Sequence, residues 1–313
     1  MGKKYLCSGN IMLDTVIQID GTTGGTNLGG PALFAYAGVR LWTDDCQLVV
    51  NVGSDFDTHY GQWMKNNYTA DSGVNVMTEF CTHHNLTYHE DGTYDWGYAN
   101  ASLRDGAINM GMLEAKPYQF EAACDKGSCL YYPTGVTNMA FWHALFAAKE
   151  KKGFQYMWEI GVSPNELPDD YMDRIKWVLQ RVEMFSVNFP ECKILFGVET
   201  EDEAIATIKS MFDGFTILRV GKRGMYVIEG QNHWFIPSIN AEHAVDSTGC
   251  GNCSTGAAMY AYNETKDPIM AGIMANISAG YNVLQYGPYP HFTQKERDDA
   301  MALAKKLREE YWG

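Results

Sequence analysis

The amino-acid sequence predicts an α/β fold: a doubly wound, mostly parallel sheet flanked by helices, with a small β lid. Two observations carry this. Short runs rich in Val, Ile, Leu and Tyr alternate along the chain with longer amphipathic stretches, the pattern of repeated βαβ units. Two regions, 11–28 rich in Thr and Gly and 84–109 where polar and aromatic residues alternate, break that pattern and read as strands of a small appended sheet. In chain order the strand-like runs are Tyr5–Ser8, Gln47–Val52, Cys129–Tyr132, Phe154–Glu159, Met184–Asn188, Phe215–Val220 and Met225–Glu229. Between them the apolar spacing is helical over Gly30–Leu41, Tyr60–Ala70, Asn138–Lys152, Asp169–Arg181 and Glu201–Phe212. With no low-complexity linker and no internal repeat, a single domain over residues 1–313 is expected.

Composition removes several function classes. At 313 residues and 46% hydrophobic content the chain can bury a large core. A net charge of -14 repels nucleic-acid phosphates, so neither DNA nor RNA is expected as a partner. The first residues, Met1–Tyr5, run straight into a strand pattern without the apolar core and cleavage site of a signal peptide. No stretch approaches the roughly 18 apolar residues of a membrane span, so a cytoplasmic protein without a membrane partner is expected. The eight cysteines are dispersed and read as buried small hydrophobes in a reducing compartment.

The chemistry concentrates in Asp246-Ser247-Thr248-Gly249-Cys250-Gly251-Asn252, followed by an apolar-periodic run over Ala258–Tyr262. This is a Gly-rich loop opening a helix. Gly249 and Gly251 allow backbone angles closed to other residues, so that successive N–H groups can point inward at the positive end of the helix dipole and cradle an anion. Taken alone, a plain tight turn explains it equally well.

The order of its neighbours decides between the two. The segment resembles the Asp-Thr-x-Gly-Ala-Gly-Asp signature of the ribokinase-like (PfkB-type) carbohydrate and nucleoside kinases. Further landmarks follow in that family's order. Gly9-Asn10 with Asp14 resembles the first strand and its substrate-gripping Asp. Gly29-Gly30-Pro31-Ala32 resembles the amino-terminal Gly-Gly signature, and Gly53-Ser54-Asp55 with Gly61 the stretch after the second core strand. Asn188-Phe189-Pro190-Glu191 resembles the Asn-x-x-Glu motif, and Gly221-Lys222-Arg223-Gly224 the turn before the nucleotide site. The resemblance spans residues from about 5 to 290. It implies ATP-dependent phosphoryl transfer to a hydroxymethyl group of a sugar or nucleoside, with Mg2+ and a monovalent cation such as K+ as candidate ions. It implies substrate contacts from Asn10, Asp14, Gly29, Gly30 and Phe34, and nucleotide or cofactor contacts from Asn188, Glu191, Arg219, Gly221, Gly224, Asn276 and Gly280. Catalytic roles fall to Asp246, Gly249, Cys250, Gly251 and position 252, and metal contacts to Glu191 and Asp246. A homodimer formed through the lid is a further expectation.

Three departures bear on activity. Asn252 stands where the family has its general-base Asp, and an amide cannot accept a proton at neutral pH. Loss of a general base typically costs about a hundred- to ten-thousand-fold in rate, which leaves three readings open. One is a slow kinase with another base, Asp246 or Asp14; the second is a catalytically inactive binding protein for a sugar, nucleoside or nucleotide; the third is an Asn introduced to trap a complex. Phe34 replaces an Asn that contacts sugar in many sugar kinases and suits a planar ligand such as a nucleoside. Arg219 replaces a common Thr and could reach phosphate or lie on the surface. A dinucleotide-dependent oxidoreductase is disfavoured, because no Gly-x-Gly-x-x-Gly follows the first strand.

Spacing raises three further readings. Cys250 and Cys253 have the separation of a redox or zinc pair but lack a second pair. Cys81, His83, His84 and His89 could be grouped as a metal cluster, but adjacent residues of a strand point to opposite faces. Asn188 and Glu191 could simply form a capping box.

Overall fold

The computed structural model describes residues 2–68, 70, 72–90, 94–99, 111–161 and 167–312. The chain builds a nine-stranded sheet in the order β13-β12-β11-β10-β9-β8-β1-β4-β5. Its parallel part comprises β5 (Val74–Thr78), β4 (Cys46–Gly53), β1 (Tyr5–Ser8), β8 (Cys129–Thr134), β9 (Gln155–Ile160), β10 (Met184–Asn188) and β11 (Phe215–Arg219). An antiparallel hairpin, β12 (Gly224–Glu229) and β13 (Asn232–Pro237), extends one edge. Every residue of β1 and β4 is buried, as expected of strands covered by helices on both faces. Alternate residues feed two cores: Cys7, Leu48, Tyr131 and Met157 face one, and Leu6, Val49, Leu130, Tyr132 and Trp158 face the other.

The first core lies under α1 (Pro31–Arg40), α2 (Phe56–Asn67), α8 (Cys250–Thr265), α9 (Pro268–Asn282) and α10 (Gln294–Trp312). The second lies under α3 (Pro117–Ala123), α4 (Met139–Lys152), α5 (Tyr171–Leu179), α6 (Phe189–Phe196) and α7 (Glu201–Met211). Helices α1 and α8 meet backbone to backbone. A Cβ at Gly38 would lie 2.1 Å from the Cys253 carbonyl oxygen, and one at Gly256 would lie 2.4 Å from that of Ala35. This contact ties the loop at the start of α8 to the Gly29-Gly30 turn at the start of α1.

The four-stranded lid sheet has the order β3-β2-β6-β7, formed by β3 (Thr23–Gly29), β2 (Met12–Ile17), β6 (Thr82–Tyr88) and β7 (Tyr94–Tyr98). The expected lid region 84–109 includes residues 91–93 and 100–109, which lie outside the described residues. The periodicity reading does not contain β5, β13, α3, α6 or α10, and two further elements differ from it. Helix α2 starts at Phe56, not Tyr60, because Asp55 stands at its N-cap and Asp57 in its first turn, where carboxylates complement the helix dipole. Helix α9 escaped the apolar-spacing reading because it is buried almost all round; its signal is the Asp267-Pro268 start, with the Asp267 carboxylate accepting from the Ile269 and Met270 amides. Among the described residues, no helix is long and apolar enough to cross a membrane.

Candidate active site

The predicted loop is a helix start with open donors. Gly249 is the N-cap of α8 at φ 74, a left-handed angle, and provides no side-chain cap. The amides of Gly251 and Asn252, in the first turn, therefore have no intrahelical acceptor. Gly249 also lies against the Phe34 ring, since a Cβ there would fall 2.1 Å from it. Phe34 is 2% exposed, so its ring supports the loop from beneath.

On the lid side, Asp246 closes the turn. Its Oδ1 accepts from the Thr248 amide at 3.0 Å and from the Thr248 hydroxyl at 2.8 Å. Because the Thr248 hydroxyl proton goes to Asp246, its oxygen accepts from Tyr88 of lid strand β6 at 2.9 Å. Asp14, on lid strand β2, is 3% exposed, and its Oδ1 has no hydrogen-bond partner among the described residues. Its room comes from Gly29, where a Cβ would fall 1.8 Å from Asp14 Oδ2. Burial, and next the nearby Asp246, push the Asp14 pKa up to about 7. Burial also raises Asp246, against the two Thr248 hydrogen bonds. The turn below is completed by Gly30, the N-cap of α1 at φ 97, in contact with the Asn10 carbonyl.

On the sheet side the loop meets charged groups at the carboxyl ends of β8 to β11, where ligands bind in open α/β sheets. The Asn252 amide donates to the Tyr131 hydroxyl at 3.1 Å, and Tyr131 donates to Glu159 Oε2 at 2.7 Å. Arg219 pairs with Glu159 Oε1 at 2.8 Å and approaches Glu191 at 3.9 Å. Burial works against the Arg219 charge, but Glu159 and then Glu191 outweigh it and hold its pKa up. The guanidinium lies directly behind the loop, since a Cβ at Gly251 would fall 2.0 Å from Arg219 Nη1. Arg219 is therefore not a surface arginine: its Nη2 is held in a buried pair, and its Nη1 lies behind the loop.

Asn188 and Glu191 do form a reciprocal capping box on α6, with both bonds at 2.8 Å. They also stand beside Arg219, since Asn188 and Arg219 are register partners across β10 and β11. Burial drives the Glu191 pKa up to about 7 against the pull of Arg219. Gly221 and Gly224 bound the turn between β11 and β12. Asn276 is buried and its Nδ2 donates to the Ile236 and Pro237 carbonyls at 3.0 and 2.9 Å, which ties α9 to the end of β13. Gly280 lies against Ile239, and its carbonyl accepts from Asn240 at 3.1 Å. Near a nucleotide, Asn276 and Gly280 would thus contribute shape, their named donors and acceptor being engaged.

Among the described residues, no three His, Cys, Asp or Glu groups converge on one point. Any Mg2+ would rest on single carboxylates and on the phosphates it accompanies, the usual arrangement for that ion. In lid strand β6 burial alternates, with His84 inward bonded into the sheet's packing against Tyr98, and His83 on the other face bonded to Thr15. Tyr131 and Glu159 were not anticipated as site residues. Their signal was a charged residue inside the otherwise apolar run Gln155–Ile160, a position where a carboxylate needs a buried partner.

A family model described as pfkB family carbohydrate kinase matches residues 16–295. The chain belongs to that family. Among curated relatives of this pfkB protein is a cytidine kinase of Thermococcus kodakarensis, 24% identical over 262 residues, covering 82% of this chain and 87% of the relative. Solved structures share the fold at low identity. A nucleoside kinase of Burkholderia thailandensis, in complex with inosine, has a TM-score of 0.72 at 17% identity, covering 96% of this chain and 98% of that one. A candidate ribokinase II from E. coli, in complex with ATP and Mg2+, has a TM-score of 0.72 at 16% identity, covering 97% and 99%. The mostly parallel sheet with flanking helices and a smaller lid sheet is thus the ribokinase-like architecture the sequence predicts.

Proposed function

We propose that this pfkB-family chain transfers the terminal phosphoryl group of ATP to a hydroxymethyl group of a nucleoside or sugar, slowly, because Asn252 cannot act as a general base. The observation that carries the reading is the juxtaposition of a buried carboxylate with an unpartnered oxygen, Asp14, and an open helix start at Gly249–Asn252. A buried acceptor without a donor is costly, and a substrate hydroxyl would satisfy it. The phosphate tail would lie against the Gly251 and Asn252 amides, with Arg219 supplying fixed positive charge from behind.

ATP and Mg2+ fit this donor set. Mg2+ supplies charge neutralisation on the transferring phosphoryl group when bound, with Asp246 Oδ2 and Glu191 as the carboxylates available to it. The chain's own groups do the rest. Asp14 grips and orients the acceptor hydroxyl, and its pKa near 7 suits it to take the proton that Asn252 cannot. Tyr88, bonded to Thr248, links lid strand β6 to the phosphate loop, so that substrate and phosphate sites are ordered together. The preference for a nucleoside over a bare sugar is supported by the cytidine and inosine that the two relatives' names carry; Phe34 is buried beneath the loop and supports it, without a ring face toward a ligand.

The test is ADP production with Mg-ATP across cytidine, inosine, adenosine and a panel of sugars, on the unaltered protein and on Asp14→Asn. Turnover with one nucleoside, lost by at least about a hundred-fold in D14N, supports the kinase. Because Asn252 lacks a proton-accepting group, a second outcome has physical grounds. Saturable binding of a nucleoside or ATP by calorimetry without ADP formation would make the chain a binding protein on a kinase fold.

A further inference from the structure

Tyr131 has one hydroxyl proton and two partners. Its oxygen lies 2.7 Å from Glu159 Oε2 and 3.1 Å from the Asn252 amide nitrogen. Glu159 Oε1 is engaged by Arg219 at 2.8 Å, inside a pair whose side chains are 7% and 13% exposed. A carboxylate paired with a guanidinium accepts and does not donate, so the Tyr131 proton is committed to Glu159. Burial pushes the Tyr131 pKa well up, so that proton stays on the ring. The group that meets the other side of the Tyr131 oxygen must therefore be a donor. An amide meets that demand; a carboxylate does not. The same count fixes the orientation of the Asn252 side chain. Its nitrogen meets Tyr131, and its Oδ1 has no hydrogen bond among the described residues.

From this proton count we infer that Tyr131 and Glu159 are positioning residues that make position 252 an amide site, so that Asn252 is the residue this pocket is built around and not a damaged aspartate. One part of the inference rests on the proposed kinase reading: that Oδ1 of Asn252, held in this orientation, accepts from a donor of the bound substrate other than the hydroxyl that Asp14 grips. The rest is a statement about buried hydrogen bonds and holds whether or not the chain turns over ATP. A carboxylate at 252 would place two acceptors against one Tyr131 proton; the missing donor favours its protonated form, against the helix start and the Arg219 guanidinium behind Gly251, which favour the charged one.

The experiment is a double-mutant cycle in thermal unfolding on the full chain: unaltered protein, N252D, Y131F and N252D/Y131F, each at pH 5 and pH 8. N252D is expected to melt a few degrees below the unaltered protein at pH 8. The gap narrows at pH 5. The sign follows from a carboxyl whose folded pKa lies above its unfolded one: its stability is fully present below the unfolded pKa and lost as pH rises through the folded pKa. With the Tyr131 hydroxyl removed, that pH-dependent gap is expected to vanish, so N252D/Y131F and Y131F melt alike at both pH values. If N252D fails to fold while N252D/Y131F folds, the inference is also supported. Equal melting of N252D and the unaltered protein at both pH values overturns it. A gap that persists unchanged without the Tyr131 hydroxyl, or failure of both Asp variants to fold, overturns it equally. None of these readings depends on ADP production, so failure of the kinase assay leaves this test intact, and failure here leaves the kinase assay to be judged alone.

Discussion

Two buried carboxylates flank the same loop and are treated in opposite ways. Glu159, behind it, has both oxygens engaged, one by Arg219 and one by Tyr131. Asp14, in front of it on the lid side, has an oxygen with no partner and a carboxylate, Asp246, as its charged neighbour. Protein interiors tolerate a buried charge when it is paired and hydrogen-bonded, and an orphaned one is stabilised only by something that arrives later. Of the two carboxylates, the one with both oxygens engaged stands on the sheet side of the loop, and the one with an orphaned oxygen stands on the lid side.

That contrast predicts opposite signs for removing the two charges. Glu159→Ala leaves the Arg219 guanidinium buried without its carboxylate and should destabilise the fold by roughly 3–5 kcal/mol. A two-state urea titration at pH 7 would measure it, and a loss below about 1 kcal/mol would mean that water already reaches the pair. Asp14→Asn should instead stabilise the unliganded protein at pH 7, on the order of 2 kcal/mol, part of the pKa shift at 1.36 kcal/mol per unit being offset by the buried amide. The folded pKa of Asp14 lies near 7, above the ordinary carboxylate value. The contribution of Asp14 to stability therefore falls as pH rises from about 4 to 7, D14N lacks that contribution, and the advantage of D14N should grow across that window. A flat difference between pH 4 and 7 would show that Asp14 is solvated in the free protein.

The same two sides differ in how far they could be read from sequence. The loop, the Gly29-Gly30 turn and Asp14 are local signals: glycines at fixed spacing, a carboxylate after a strand, a helix pattern beginning just beyond. Six of the seven strands of the parallel part were legible for the same reason, since apolar runs of four to eight residues need only their own composition; the edge strand β5, with most of its residues exposed, was not. The hairpin strand Asn232–Pro237 was not, because its burial alternates with exposure on an edge and it carries Asn and His. The Tyr131–Glu159–Arg219 chain was invisible because its members come from three strands, at positions 131, 159 and 219, and meet only after β8, β9 and β11 take their places in the sheet. Asn252 could be seen as a departure from a motif, but the reason for an amide there lies in partners more than ninety residues away.

Gly249→Ala sharpens the comparison on the loop itself. The residue is at φ 74 with the Phe34 ring immediately beneath, so a methyl group meets both a strained backbone angle and an occupied space. A cost of roughly 1–3 kcal/mol is expected, with loss of ATP binding by calorimetry exceeding what the stability change explains. ATP affinity unchanged in G249A would place the phosphates elsewhere.

The smallest effect concerns Cys250, in the first turn of α8. A helix start ordinarily lowers a thiol pKa and makes a cysteine reactive, which is what gave the Cys250–Cys253 spacing its redox reading. Here burial dominates and pushes Cys250 up to about 11, against a hydrogen bond from Asn282. Cys253 is buried and its thiol is raised further. At pH 7.5 the Cys250 thiolate should be roughly three-hundred-fold scarcer than that of a free thiol of pKa about 8.5, and labelling by iodoacetamide should slow in proportion. Mass-resolved labelling of the folded protein checks this, with urea-unfolded protein as the reference. Rapid modification of Cys250 in the folded state would mean that the loop opens on its own and that its first-turn amides already exchange with water.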